Sequence, residues 1–385
     1  MSLNVNRREF LQGATAAALG LTVPATRLLA YPAAPTSPVA VARCTSYGPE
    51  VLSSLATMFD QLGGLQKLVS GKTVAIKLNT TGSSTMRFNG MPQGSTYWVN
   101  PEVVGATVHL LGKAGARRIR LVESPTSSQA HTFEQFLSEA GWKLTDFTSA
   151  AAGVEFDNTN FPGPSGKYTR LWVPGGGLTF KAYDMSRTYE DCDVYVSLAK
   201  LKEHSTTGVT LTMKNTFGIT PTTIYGEESG IDAPSKEAGG ARMMLHRGNR
   251  QPSKTALSEI DPNSSRDPGY RVPRVTVDLV RARPIHLGII DGIETTAGGE
   301  GPWVKGFRPV RANVLIAGLN CVTTDAVGTA LMGFDPMADH GVAPFEKSLS
   351  MLKLAEEAGI GTRDLKRIEV LGLPIAQGRV DFRKA

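Results

Sequence analysis

Cysteine is scarce in this 385-residue chain, and Cys44, Cys192 and Cys321 stand far apart as an odd set. They make no CxxC pair, zinc spacing or iron–sulfur ligand run, so neither a disulfide frame nor a cluster is expected. Cys192 and Cys321 sit in or beside apolar segments, where free thiols are mostly inert filler. Patterned charge is missing as well: there is no Lys/Arg block and no basic helix interleaved with aromatics, which argues against a nucleic-acid partner. No apolar run is long and glycine-poor enough for a comfortable membrane span. The G-x-S-x-G elbow, the H-E-x-x-H helix, the P-loop with its lysine and a G-x-G-x-x-G after the first strand are all absent. No elbow-serine, zincin or nucleotide assignment follows.

What is present is ordinary globular composition, 41% hydrophobic and 20% charged, with enough length for a large core. The first residues depart from it. NRREFLQGATAAALGLTVPA pairs Arg7 with Arg8 and continues through Phe10 and Leu11 into an Ala/Gly-rich run. This resembles a twin-arginine export signal, which implies the translocase as a transient partner and a periplasmic destination. Residues 1–34 are read as signal and linker, with cleavage expected near Ala30 or Ala34 and an uncleaved anchor as the alternative. Loss of residues 1–30 lowers the net charge from +6 to +4, spread along the chain.

Residues 35–385 are read as a single α/β domain. Strand-like PVAVARCTSY, GKTVAIKLNTTG and RRIRLVES alternate with helical EVLSSLATMFDQLGGLQKL and NPEVVGATVHLLGKAGAR, the latter capped by Asn100 with Pro101 in its first turn. QAHTFEQFLSEAGW reads as a helix and KLTDFT as a further strand. DCDVYVSLAK, HLGIIDG, RANVLIAG and KRIEVLG complete the strands; RVTVDLVRARP, CVTTDAVGTALMGF (capped by Thr323 or Thr324) and SLSMLKLAEEAGIG complete the helices. Residues 151–180 and 218–272 read as long irregular insertions, the second as a lid or covering excursion. The alternation predicts a mostly parallel sheet with helices on both faces.

In such sheets ligands bind outside the carboxyl ends of the strands. Polar residues gather there: Lys77 and Asn79 after the second strand, Glu123 after the third, then LAKLKEHSTTGVTLTMKNTFGITP after DCDVYVS, Asp291 and Glu294 after HLGII, and Asp325 beyond VLIAG. Lys77, Asn79, Lys200, Lys214, Asn215 and Gly299 are expected to hold a substrate, with GGEGPW offering backbone N–H groups to an anion. Lys202, His204 and Asp291 are the candidate catalytic groups. Glu123, His204, Asp291 and Asp325 offer hard oxygens and an imidazole that would suit a divalent metal, without a spacing that fixes its geometry.

DVYVSLAKLKEHSTTGVTLTMKNTFG resembles a D-x-x-I-N-x-P-K-x-K-x-H … G-V-T-x-x-x-K-N-x-F-G block of the domain of unknown function 362 family. VAIKLN, PEVV…LLGKAGARRIRLVES, IIDGIETTAGGEGPW and VLIAGLNCVTTDAVGTALMGFDP resemble its other blocks, in order, over most of residues 70–372. Leu198-Ala199 depart from the family's Pro before the first lysine. The ferredoxin-like cysteine clusters of many relatives are missing, so no iron–sulfur cluster or electron-transfer role is expected. The expected function is that of an exported enzyme acting on a small phosphate- or carboxylate-bearing molecule, assisted by a divalent metal or by His204. A non-catalytic metal-, cofactor- or anion-binding escort is the alternative; the cofactor is unassigned.

Overall fold

Valine, isoleucine and alanine at alternating positions build the sheet. In the computed structural model, which describes residues 33–126, 132–163 and 165–385, β2 (Thr73–Lys77), β3 (Arg118–Glu123), β4 (Val154–Asn158), β7 (Val194–His204) and β9 (Leu287–Ala297) lie parallel in the order β9-β7-β2-β3-β4. On the other side of β9, β10 (Arg308–Gly318) and β1 (Val39–Arg43) pair antiparallel in turn, and β11 (Val370–Gly372) joins β1 in parallel. The hairpin strand β8 (Gly208–Thr210) pairs with the end of β7. A two-stranded ribbon, β5 (Thr169–Trp172) with β6 (Ala182–Met185), stands apart. The sheet is thus mixed but mostly parallel, as the alternation predicts. The proposed signal, with Arg7 and Arg8, lies outside the described residues.

Period-2 alternation sends neighbouring strand residues into different layers. Val74, Ile76, Val194, Val196 and Leu198 pack with α1 (Pro49–Gln61), α2 (Pro101–Lys113) and α3 (Phe133–Glu139) through Leu55, Met58, Val104, Val108 and Phe136. Ala75, Tyr195, Ala199 and Leu201 face the other core, shared with α7 (Pro268–Ala282), α8 (Cys321–Leu331) and α9 (Met351–Glu357) through Val272, Val275, Val322 and Leu352. Helices therefore cover both faces. Among the described residues no helix is long and apolar enough to cross a membrane.

Local chemistry explains the helix starts, and three expectations are corrected. Asn100 caps α2, its Oδ1 accepting from Glu102 N at 2.9 Å ahead of Pro101. For α8 the cap is Asn320, whose Oδ1 accepts from Val322 N and Thr323 N at 3.0 and 3.1 Å. The Thr323 and Thr324 hydroxyls instead donate back to Asn320 O, the interior habit of helical threonine. KLTDFT is not a strand: it forms the helical turn α4 (Thr145–Thr148), with Phe147 buried. Strand β4 follows it, inside the stretch expected to be irregular, because VEFDN completes the parallel row beside β3. The 218–272 excursion carries short turns, among them α6 (Met243–His246).

Candidate functional site

The switch in strand order between β2 and β7, where the chain leaves toward β3 on one side and β9 on the other, opens a crevice at the carboxyl ends. A cavity of about 420 Å³ fills it. Its walls come from several places: Lys77, Asn79 and Thr80 at and after the end of β2; Glu123 and Ser124 at the end of β3; Lys202, His204 and Thr210 on β7 and β8; Lys214, Asn215 and Phe217 on and after α5 (Thr212–Thr216); Arg242 and His246 before and at the end of α6; and Glu300 and Trp303 from a loop.

The floor is a buried ion pair. Lys77 Nζ lies 2.5 Å from Glu123 Oε1 and donates to Leu78 O at 2.7 Å. Glu123 also accepts from Thr80 N, Thr80 Oγ1 and Ser124 N at 3.1, 2.9 and 2.9 Å. Burial draws the Lys77 ammonium below its ordinary value while Glu123 opposes the shift. Gly218 makes the approach feasible, because a Cβ there would meet Lys77 Nζ at 2.9 Å. Asn215 clamps the strand ends above it, donating to Lys77 O, Ser197 Oγ and Leu198 O at 3.2, 3.0 and 3.3 Å.

The walls carry surplus positive charge. Lys202 Nζ donates to Tyr97 O at 2.6 Å and Glu300 O at 3.1 Å. Lys214 Nζ makes no hydrogen bond; it sits 4.4 Å from the centre of the Phe217 ring, and the residue is 9% exposed. Burial pulls both ammonium groups down to about 7, against the attraction of Glu300. Burial, then the Lys214 charge, holds the imidazoles of His204 and His246 low, near 3 and 4, so both are neutral at physiological pH. His246 Nδ1 donates to Arg242 O at 3.0 Å, leaving Nε2 as the acceptor nitrogen. Glu300 accepts from Ser205 N at 2.8 Å and from the Trp303 indole at 3.2 Å. Burial opposes its ionisation, but His204 and Ser205 hold the carboxyl below the usual range.

Arg242 commits Nε to Thr220 O at 2.8 Å and Nη2 to Ser124 O and Gly218 O at 2.6 and 2.8 Å, leaving Nη1 without a bond. Its own φ is +57° and that of Ala241 +45°, two successive left-handed non-glycine residues. Such backbone costs of order 1–3 kcal/mol per residue and persists where the surroundings over-determine it, often beside a ligand. Trp303, 46% exposed, stands at the rim in edge contact with Tyr97.

Of the residues picked from sequence, Lys77, Asn79, Glu123, Lys202, His204, Lys214 and Asn215 line this cavity; Lys200, Asp291, Gly299 and Asp325 do not. The register of β7 against β9 slips between Lys200 and Lys202. Lys200 stays opposite Asp291 in a dry ion pair at 2.9 Å, both side chains fully buried, while Lys202 opens onto the cavity. Asp325 holds the start of α5, accepting from Thr212 N and Oγ1 and from Met213 N at 2.9, 2.6 and 2.9 Å. It thus positions Lys214 and Asn215 from behind, and burial raises its carboxyl to about 7. The four expected metal ligands do not converge, since Asp291 and Asp325 are spent on these struts. Among the described residues no three His, Cys, Asp or Glu side chains are grouped to hold a metal ion. Arg242 escaped the sequence reading because nothing in residues 218–272 has a periodicity that would orient it. Glu300 was hidden in GGEGPW, which contributes a carboxylate and an indole to the cavity rather than a backbone cradle.

Comparison with known proteins gives a family and little chemistry. The family described as "Domain of unknown function (DUF362)" matches residues 74–330. The thylakoid-associated protein sll1697 of Synechocystis sp. is 26% identical over 185 residues, 48% of this chain and 50% of that protein. The chain thus spans about half the length of the curated relative it matches. Among solved structures, a Thermotoga maritima protein has a TM-score of 0.33 at 12% identity, covering 68% of this chain and 53% of that one. The lactate racemase apoprotein from Thermoanaerobacterium thermosaccharolyticum also has 0.33, at 11% identity, covering 71% and 54%.

Proposed function

Because this chain belongs to the DUF362 family, whose description assigns no reaction, we propose a function from the cavity itself: it takes a small phosphate- or carboxylate-bearing molecule, and the protein is an exported enzyme acting on it. One observation carries the reading. Lys214 Nζ and Arg242 Nη1, in residues at least nine-tenths buried, lack hydrogen-bond acceptors in the same cavity. Both atoms open onto the cavity and are not sealed in protein, so an anion there would give each a charge-assisted hydrogen bond in place of solvent. The donor set favours an anion over a divalent cation, because Glu123 is neutralised by Lys77 and Glu300 faces His204 at 3.6 Å. The neutral imidazoles of His204 and His246 supply proton-transfer groups.

Titration calorimetry with sulfate, phosphate and acetate tests the site. Wild-type protein is expected to bind at least one of them stoichiometrically. Lys214→Met is expected to weaken that binding by roughly 10- to 100-fold, the worth of a charge-assisted hydrogen bond, without lowering the melting temperature. No anion binding by the wild type, or unchanged affinity in the variant, would sink the reading. Binding without turnover of any phosphate or carboxylate ester would leave a non-catalytic escort.

Export rests on Arg7 and Arg8 ahead of Phe10-Leu11. Replacing both arginines with lysine is expected to retain the protein in the cytoplasmic fraction, because the twin-arginine route reads the pair itself. Unchanged fractionation would refute it.

A further inference from the structure

The four lysines at and near this sheet end have different duties. Lys77 is held by Glu123 and Leu78 O, Lys200 by Asp291, Tyr47 and Gly94 O, and Lys202 by Tyr97 O and Glu300 O. Each donates to fixed oxygens, a task that needs N–H and leaves no lone pair free in the ammonium form. Lys214 has no such acceptor. Its stem is anchored on α5, whose start Asp325 pins, and its amine reaches a cavity walled by Phe217 and shared with Arg242. The Phe217 ring at 4.4 Å and the Glu300 charge favour its ammonium form, but no fixed oxygen demands its N–H, so with burial opposing the charge it can exist there as the neutral base.

We propose that Lys214 is a Schiff-base nucleophile, and that the anion this cavity receives carries a ketone or aldehyde beside its charged group, as a 2-oxo acid does. The inference rests on the anion-binding reading above and adds the substrate class and the covalent step. Arg242 Nη1, with its charge fixed, takes the carboxylate, which leaves the adjacent carbonyl for the amine. The Lys214 Nζ lone pair attacks the carbonyl carbon: a C–N bond forms, and the C=O π pair moves onto oxygen. His246 Nε2 takes the proton released by nitrogen and returns it to that oxygen, giving a carbinolamine. The C–O bond then breaks, a second proton passes from nitrogen to the departing oxygen, and water leaves. The products are a neutral imine and one water; protonation by solvent gives the iminium, so atoms, electrons and charge balance without an outside oxidant. Burial, against the attraction of Glu300 and aided by the Arg242 and Lys77 charges, favours the free amine, the condition under which lysine is nucleophilic near neutral pH.

Trapping tests it on the purified mature protein. Pyruvate plus cyanoborohydride at neutral pH should convert the imine to a stable secondary amine, located by peptide mapping. The expected result is an adduct on Lys214 forming at least about tenfold faster than on exposed lysines, whose amines are almost wholly protonated at that pH. It should disappear from that position in Lys214→Arg, and acetate or sulfate should slow it by competition. Mapping of the wild type alone is decisive if the variant fails to fold. Labelling confined to exposed lysines, with sulfate or acetate still bound in the calorimeter, would overturn the Schiff-base role and leave the anion site standing. Absence of both labelling and anion binding would overturn both.

Discussion

Asp291→Ala is expected to lower stability by about 3–5 kcal/mol, as breaking a buried ion pair does when one charge is left behind. The carboxylate accepts from Lys200 Nζ at 2.9 Å, Asn100 N at 2.9 Å, Tyr47 OH at 3.1 Å and Ile293 N at 3.2 Å. Lys200 Nζ, Asn100 N and Ile293 N, all in buried residues, have no water to turn to, because the Lys200 and Asp291 side chains are fully buried. Burial draws the Lys200 ammonium down and the Asp291 charge opposes it, so removal of Asp291 leaves burial unopposed and the lysine sheds its proton or its place. The pair also ties the cap of α2 to β7 and β9. The measurement is urea denaturation of the variant beside Lys200→Met with Asp291→Leu, in which both charges are gone. That double variant should recover much of the loss, since apolar residues of similar volume commonly replace a buried pair at little cost. A single Asp291→Ala that keeps wild-type stability while losing all turnover would instead return Asp291 to the catalytic role expected from sequence.

Why Asp291 misled is instructive about what a sequence encodes. HLGIIDG looks like a strand that stops at its aspartate, and in a parallel sheet a polar residue at the stop faces the crevice. Here β9 runs six residues past Asp291 to Ala297, because β10 continues to pair with it antiparallel and β7, after its register slip, pairs Lys202 with Thr296. Asp291 therefore lies inside the strand, with Lys200 as its register partner. The same logic succeeded where it applied: Lys77 and Glu123 do end β2 and β3, and both line the cavity. In LAKLKEHSTTGVTLTMKNTFGITP the spacing brought Lys202, His204, Lys214 and Asn215 to one place, because β8 folds back on β7 and hands the chain to α5. Arg242 and His246 were not legible. They arrive from an excursion whose path is fixed by the Arg242 bonds to Ser124, Gly218 and Thr220, contacts that no local pattern announces.

Stability and anion affinity are expected to move in opposite directions with pH. Lys202 and Lys214 titrate near 7 in the folded protein because burial penalises their charge, against about 10.4 for a lysine in the unfolded chain. Between about pH 7 and pH 10 the unfolded state therefore holds more protons than the native one, and stability rises with pH. The slope approaches about 1.4 kcal/mol per pH unit for each lysine. Below pH 7 both states are protonated and the full penalty is present. Sulfate, whose charge is constant over this range, needs the ammonium form and so carries protons in with it. Its affinity should fall by up to about tenfold per pH unit for each lysine above 7. Melting curves without sulfate should thus climb from about pH 6 to pH 9, while curves in saturating sulfate flatten or turn over. Parallel curves would mean that neither lysine both loses its proton in the free cavity and regains it for the anion. Lys214→Met separates the two contributions, because the variant should keep only the slope that belongs to Lys202, in stability and in affinity alike.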